Sequence, residues 1–389
     1  LAFLSQCSVF YPTIMLRTKR GYPYARNDTA QGMEYKVAPN DIVSIRVFSN
    51  DGFKLFELGG ISGVTPTLSK LIKEGLLFTN FYANGDRTDY GLISILSGFP
   101  SLPNISTLSQ PEKFEKLPSL ARILGENHYH NSYYYGGDLT FGNLNAYLKN
   151  AQFEKINGKE YYSSKEKPGK WGYHDHIVLE KVANDMEFIP KPFFTTVITL
   201  SSHEPFEVPL CLPVHGNSTK DKFIRVASYT DLSLKLFFEL SKSKSWFENT
   251  LFVILADHGH PSIKNHFSHA PGKFKIPLLF FGNVILDHFK GKRIDTIGSQ
   301  TDLIHTLLAQ LNINHAEFNW SKNLLSKNYK GFGFYTFNDG FGWIDPQGEF
   351  AFDNVSKNMM HSNTDTINET SKTNGLSYIQ MVMEDYLNK

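Results

Sequence analysis

Leu251-Phe252-Val253-Ile254-Leu255-Ala256-Asp257-His258-Gly259-His260 is the stretch on which the fold turns. Six apolar residues in succession, without polar alternation, are the pattern of a strand buried on both faces of a parallel sheet. The run breaks at Asp257, His258 and His260 around one glycine. In open α/β sheets ligands gather beyond the carboxyl ends of the strands, so chemistry is expected at this break. A carboxylate followed directly by an imidazole is a ligand pair suited to a divalent metal. Taken alone, an Asp-His pair is more often a solvated exit from a strand, and the rest of the chain has to decide.

Outward from this run, strand-like and helix-like segments alternate. Strand composition marks Asp41–Phe48 (interrupted by Ser44 and Arg46), Leu76–Phe81, Ser132–Tyr135, Phe193–Leu200 and Ile276–Phe281. Thr65-Pro66 opens a helix with Thr as N-cap and Pro in the first turn, a stripe of Leu68, Leu71 and Ile72, and Gly75 as its end. Thr88-Asp89 opens a second, carrying Leu92, Ile93 and Leu96 and closed by Gly98. Further helices are expected near Leu120–Leu124, Leu144–Leu148, Val226–Leu240 and Thr301–Leu311. Residues 333–352 read as terminal hairpins, 354–375 as polar and loose, and Leu376–Leu387 as a last amphipathic helix. The alternation predicts an α/β fold: a doubly wound, mostly parallel sheet with helices on both faces, followed by C-terminal hairpins. The expected organisation is an ill-defined N-terminal segment (1–40), a catalytic domain (41–353), and a polar tail with a terminal helix (354–389).

Composition narrows the function. The 389 residues are 41% hydrophobic and 20% charged, with 32 Phe, which describes a globular protein with an aromatic core. A net charge of +1, with no basic stripe, excludes nucleic acid as an expected partner. Cys7 and Cys211 are too few for a disulfide framework or a Cys-rich metal site. Leu1–Leu16 is apolar but too short, and too broken by Ser5-Gln6 and Pro12, to span a bilayer. The absence of an initial Met makes a fragment the expectation, and this segment reads either as the stub of a membrane segment or as a terminal tail.

Several residues beside the Asp257-His258 pair qualify for chemistry. Thr88 stands at a helix start behind the loop Asn84-Gly85-Asp86-Arg87, where free N–H groups and the helix dipole favour a phosphate. Arg87 adds a cation able to fork onto phosphate oxygens. Thr88 reads either as an N-cap or as a nucleophile whose hydroxyl a metal activates. His203 follows the strand ending at Leu200 and is a candidate for binding phosphate or protonating a leaving group, against a loop histidine bonded to backbone. Asp138 behind Gly136-Gly137, and Trp171 with Asp175, are weaker candidates at the same edge. His260, His266 and His269 crowd the loop after the proposed metal pair, where solvated histidines are the commoner outcome.

As a set, these segments resemble the sulfatase-like phosphoglycerol transferase and lipoteichoic acid synthase family of the alkaline phosphatase superfamily. The resemblance is carried by Val64-Thr65-Pro66-Thr67-Leu68, Glu74–Gly85, Arg87-Thr88, Tyr135-Gly136-Gly137-Asp138, Leu200–Phe206, Ala256-Asp257-His258-Gly259 and Ser299–Leu303, in one collinear order. It implies an alkaline-phosphatase/sulfatase-like fold and one divalent metal, Mn2+ or Mg2+, held by Asp257, His258 and Thr88. It implies that Thr88 takes a phosphoglycerol-type group from a phospholipid headgroup and passes it to a glycan or glycolipid acceptor, with His203 binding substrate. It also implies a place on the extracytoplasmic side of the bacterial cytoplasmic membrane, attached through N-terminal membrane helices.

One departure is visible. The family's first strand ends in a metal-ligating Glu, and this chain has Arg46-Val47 there, with Asp51 or Glu57 as substitutes further on. A guanidinium ligates no cation, so weak metal binding and an impaired enzyme, or a non-catalytic binding module, are expected alternatives. A sulfatase or phosphodiesterase of the same superfamily is another. Cys211-Leu212-Pro213-Val214-His215 imitates the C/S-x-P-x-R sulfatase motif but lacks its Arg.

Overall fold

Thr250 to Ala256 form a strand in which every residue is buried, as an apolar run at the centre of a covered sheet requires. The computed structural model describes residues 41–47, 61–163, 165, 167–210, 212, 214, 216–260, 267–326, 329, 331–363 and 368–389. In chain order the first elements are β1 (Asp41–Val47), α1 (Pro66–Glu74), β2 (Leu76–Tyr82), α2 (Thr88–Ser97), α3 (Pro111–Phe114), α4 (Leu120–Glu126), β3 (His130–Tyr135) and α5 (Leu144–Asn150). Next come β4 (Lys155–Asn157), α6 (Asp175–Asp185), β5 (Phe193–Ile198), α7 (Thr219–Ser241), β6 (Thr250–Ala256), α8 (Pro271–Phe274) and β7 (Lys275–Phe281). The chain closes with β8 (Lys292–Ile294), β9 (Gly298–Ser299), α9 (Asp302–Gln310), β10 (Gly333–Phe337), β11 (Gly340–Asp345), β12 (Gly348–Asp353), β13 (Met359–Ser362) and α10 (Glu369–Asn388).

The main sheet has the order β4-β3-β5-β1-β6-β7-β2-β8, with β9 also pairing β2. Its pairs are parallel except those of β7, which runs antiparallel to both β6 and β2. Two reversals cancel, so β2 points the same way as β6. The carboxyl ends of β1, β2, β3, β5 and β6 therefore share one edge. Side chains alternate across β6: Leu251, Val253 and Leu255 join a core with α2, α4, α5 and α9, while Phe252 and Ile254 join a second core with α1, α6 and α7. This is the doubly wound arrangement expected. Each such buried side chain contributes roughly 1.5–3 kcal/mol of transfer free energy, which makes a slip of register by one residue prohibitive.

The structure changes several details. Thr65 occupies the N-cap of α1 but its hydroxyl makes no capping bond. The buried Asp231 of α7 does that work, accepting the Thr67 and Leu68 amides at 2.8 and 2.9 Å. Helix α7 begins seven residues before Val226, at a capping box in which Ser218 and Asp221 bond reciprocally. Helix α6 had no counterpart in the sequence reading. The hairpins form a four-stranded antiparallel sheet, β10-β11-β12-β13. Part of the stretch expected to be loose is ordered: Met359–Ser362 is its fourth strand and α10 starts at Glu369, not Leu376. The physical reason is burial, since Ser371, Gly375, Ile379 and Val382 of α10 pack down against the second sheet and the first core.

Candidate active site

Thr88 is the first residue of α2, and Arg87 takes the N-cap position with an extended backbone. The Thr88 hydroxyl does not cap the helix. It donates to Asp257 Oδ2 at 2.8 Å, joining residues 169 apart in sequence. Asp257 sits one step beyond β6 and is fully buried; its Oδ1 accepts the His258 amide at 2.9 Å. His258 Nδ1 lies 2.8 Å from the Gly259 carbonyl. That contact favours the tautomer with its lone pair on Nε2, which stands 3.8 Å from Asp257 Oδ2. The three residues predicted to converge do so.

What holds them there was not legible beforehand. Gln300, fully buried, donates through Nε2 to the carbonyls of Ala256 and Asp257 at 3.0 and 2.6 Å. Its Oε1 accepts the Asn84 amide at 3.0 Å. Asn84 in turn donates to Phe334 and accepts from the Thr301 amide, and its carbonyl accepts the Thr336 amide. One glutamine thus ties the end of β6 to the loop that delivers Thr88, and one asparagine ties that loop to the second sheet. Gly91 lets α2 lie directly against β6: a Cβ there would stand 2.4 Å from the Asp257 carbonyl oxygen. Asp86 is anchored by Lys273 Nζ at 2.7 Å.

Beside these residues opens a cavity of about 500 Å³, within the range of small-molecule sites. Its lining includes the polar Arg87, Thr88, Asp138, His203 and His258 and the apolar Leu92, Leu108, Phe141, Leu144 and Ile198. Asp138 is solvated, accepts from the Thr140 hydroxyl and amide and lies 3.7 Å from Lys159; those contacts hold its carboxyl below the usual range. His203 places Nδ1 3.0 Å from the Leu200 carbonyl, and burial pushes its imidazole below the ordinary 6.5. Tyr135, to which the sequence reading gave no role, also lines the cavity; burial first, then the Asp257 and Asp138 charges, push its hydroxyl up to about 12. It remains a protonated donor throughout the physiological range.

The other candidates separate. Trp171 sits in a side recess with His203, its Nε1 donating to the Glu204 carbonyl at 2.6 Å and its ring 6.0 Å from the His203 ring. Asp175 is a buried clamp: its Oδ1 accepts the Leu200 and Ser201 amides at 2.7 and 3.1 Å, shaping the turn that presents His203. His260 packs between Phe206 and Phe223, and His269 stacks on Phe267; neither lines the cavity. His266, Asp51 and Glu57 lie outside the described residues, as do Cys211, Pro213 and His215 of the sulfatase-like motif.

The register of β1 against β6 places Arg46 in the sheet. Arg46 pairs with Leu255 and Val47 with Ala256. Arg46 therefore falls two residues short of Asp257, about 6–7 Å along the strand at 3.3 Å per residue. Val47, level with Ala256, is the last residue of β1, and the residues that follow it lie outside the described ones. Among the described residues no group of three His, Cys, Asp or Glu comes together. Asp257, His258 and the Thr88 hydroxyl still supply a carboxylate, an imidazole and an alcohol, a donor set that suits a hard divalent cation. No helix among the described residues is long and apolar enough to cross a membrane.

Comparison with known proteins gives concordant results. The sulfatase family model matches residues 48–313, more than half of the chain. The lipoteichoic acid synthase-like protein YvgJ of Bacillus subtilis is 23% identical over 308 residues, 74% of this chain and 50% of that protein. Lipoteichoic acid synthase 2 of the same organism is 26% identical over 288 residues, 69% of this chain and 44% of that protein. The chain spans about half the length of these curated relatives. Among solved structures, an alkaline phosphatase superfamily protein from Vibrio parahaemolyticus superimposes with a TM-score of 0.81 at 23% identity, covering 91% of this chain and 88% of that one. The lipoteichoic acid synthase LtaP of Listeria monocytogenes does so with a TM-score of 0.73 at 15% identity, covering 90% and 92%. These likenesses bear on the fold.

Proposed function

The chain belongs to the sulfatase family, and from that premise we propose that it transfers a phosphoglycerol-type group from a phospholipid headgroup to an acceptor hydroxyl by way of Thr88. The observation that carries the reading is the 2.8 Å contact between the Thr88 hydroxyl and the buried Asp257 carboxylate, at the carboxyl edge of the sheet and on the wall of the cavity. The lipoteichoic acid synthases among its relatives support the choice of substrate class.

One divalent cation, Mn2+ or Mg2+, held by Asp257, His258 and Thr88, would lower the hydroxyl's pKa and offset charge on the phosphoryl oxygens. The chain's own groups do the rest. Asp257 points the Thr88 oxygen and draws its proton away from the substrate. The phosphoryl oxygens face the first turn of α2 and the Arg87 guanidinium, which together favour an anion. The Thr88 oxygen bonds to phosphorus, the bond to the lipid's glycerol oxygen breaks, and the released alcohol takes up a proton. A glycan or glycolipid hydroxyl then attacks the phosphorylated threonine and restores it. His203 is neutral at pH 7 and its Nδ1–H donates to Leu200, so Nε2 accepts a hydrogen bond from a substrate hydroxyl. The protonated Tyr135 hydroxyl is a donor toward the same space.

By this reading the domain works on the extracytoplasmic side of the bacterial cytoplasmic membrane, attached through N-terminal helices. The test is release of diacylglycerol from phosphatidylglycerol vesicles in the presence of Mn2+. The wild-type chain releases it and Thr88→Ala does not; equal release by both rejects the threonine pathway.

A further inference from the structure

The polar half of the cavity accounts for a phosphoryl group, and the apolar half has no role in that chemistry. Leu92, Leu108, Leu144 and Ile198 are almost wholly buried, and they line a space that begins at Thr88. Phe141 completes this wall while 75% exposed, so its ring lies at the rim, on a short turn where Gly142 and Asn143 both take positive φ. Phe141 is thus the apolar lining residue that meets solvent, at the mouth of a space otherwise walled by buried apolar side chains. A volume of about 500 Å³ also exceeds what a glycerol phosphate needs and falls in the range that takes drug-sized molecules.

In-line displacement fixes what lies opposite the attacking oxygen, because the leaving oxygen departs roughly 180° from it. A lining that combines polar groups with large apolar ones matches a donor whose transferred half is polar and whose leaving half is not. Building on the function proposed above, we propose that the Leu92–Leu108–Phe141–Leu144 wall seats the leaving half of the donor, the glycerol esters and first methylenes of its acyl chains. Phe141 is then the residue that selects a lipid donor over a water-soluble phosphodiester. Binding energy from this remote, unreacting part helps bring the phosphoryl group to Thr88.

The experiment measures kcat/KM for alcohol release from a graded donor series: glycerophosphoglycerol, then dibutanoyl-, dihexanoyl- and dioctanoyl-phosphatidylglycerol, each below its micellar concentration. The wild-type chain is expected to gain roughly fourfold for each methylene the wall covers, equivalent to about 0.8 kcal/mol, until the cavity is full. Phe141→Ser, at an exposed position that a fold tolerates, is expected to lower the dioctanoyl-to-glycerophosphoglycerol ratio at least tenfold. Phe141→Leu should recover part of it. A flat chain-length series, or a series with the same slope in Phe141→Ser, overturns the inference while leaving Thr88 chemistry standing. No release and no covalent adduct with any donor overturns the inference together with the function it rests on.

Discussion

Gly91→Ala puts the geometry of the site under the sharpest test. Gly91 lies within α2 with helical hydrogen bonding, its amide donating to the Arg87 carbonyl at 3.1 Å. In an open helix the exchange would stabilise by about 0.8–1 kcal/mol. Here the new methyl would stand 2.4 Å from the Asp257 carbonyl oxygen, against 3.4 Å for ordinary contact. The difference, about 1 Å, has to come from separating α2 from the end of β6. The Asp257 carbonyl is also bonded to Gln300, so β6 resists, and the helix carrying Thr88 is the part that moves. Overpacking of this kind costs about 1–3 kcal/mol, which cancels or exceeds the helical gain. A 1 Å displacement of Thr88, the proposed nucleophile, can lower the rate by about 100-fold. Diacylglycerol release and a thermal melt are the assays: activity should fall by one to two orders of magnitude, with a melting temperature unchanged or lowered. A variant that melts higher and turns over normally would refute the claim that this close approach positions Thr88.

Three other outcomes follow from the same geometry. Gln300→Met keeps the volume but removes the partner of the buried Asn84 amide and of two carbonyls, at about 1–3 kcal/mol for each unsatisfied group; the urea midpoint should fall by an amount equivalent to roughly 3–9 kcal/mol. Burial holds His305, which lies beside His315 and Lys322, down at about 4. Between pH 6.5 and 4 the unfolded chain then binds a proton the native one refuses, so stability is present above 6.5 and is lost as pH falls; His305→Gln should flatten that slope in urea titrations. Cys211→Ala should leave diacylglycerol release unaltered, whereas an inactive variant would point to a sulfatase-type nucleophile.

The residues of the proposed reaction centre were legible because they end conspicuous local patterns. Asp257 and His258 stop a six-residue apolar run, and Thr88 opens a helix behind a glycine loop. Parallel-sheet geometry then sends all three to one edge without knowledge of the strand order. The supports were not legible, because their partners are remote. Gln300 sits beside Asp302 in an ordinary helix-start pattern, and nothing local says that its amide reaches residues 43 and 44 positions away. Asp231 capping α1 and Asp175 clamping the turn before His203 are alike: each carboxylate serves another element's amides. Helix α6 carried a usable signal in Val178, Leu179, Val182 and Ala183, spaced for one buried face, but its polar start hid it. Arg46 shows the converse limit. The departure in the first strand was visible in the sequence, and only the structure shows that Arg46 pairs with Leu255, two residues before Asp257.

The most direct measurement of the central claim is intact-protein and peptide mass spectrometry after incubation with phosphatidylglycerol and Mn2+. Thr88 as nucleophile predicts a glycerophosphate adduct on the peptide containing Thr88, absent from Thr88→Ala and discharged when an acceptor alcohol is added. Diacylglycerol release with no adduct at Thr88, or an adduct on another residue, would contradict it.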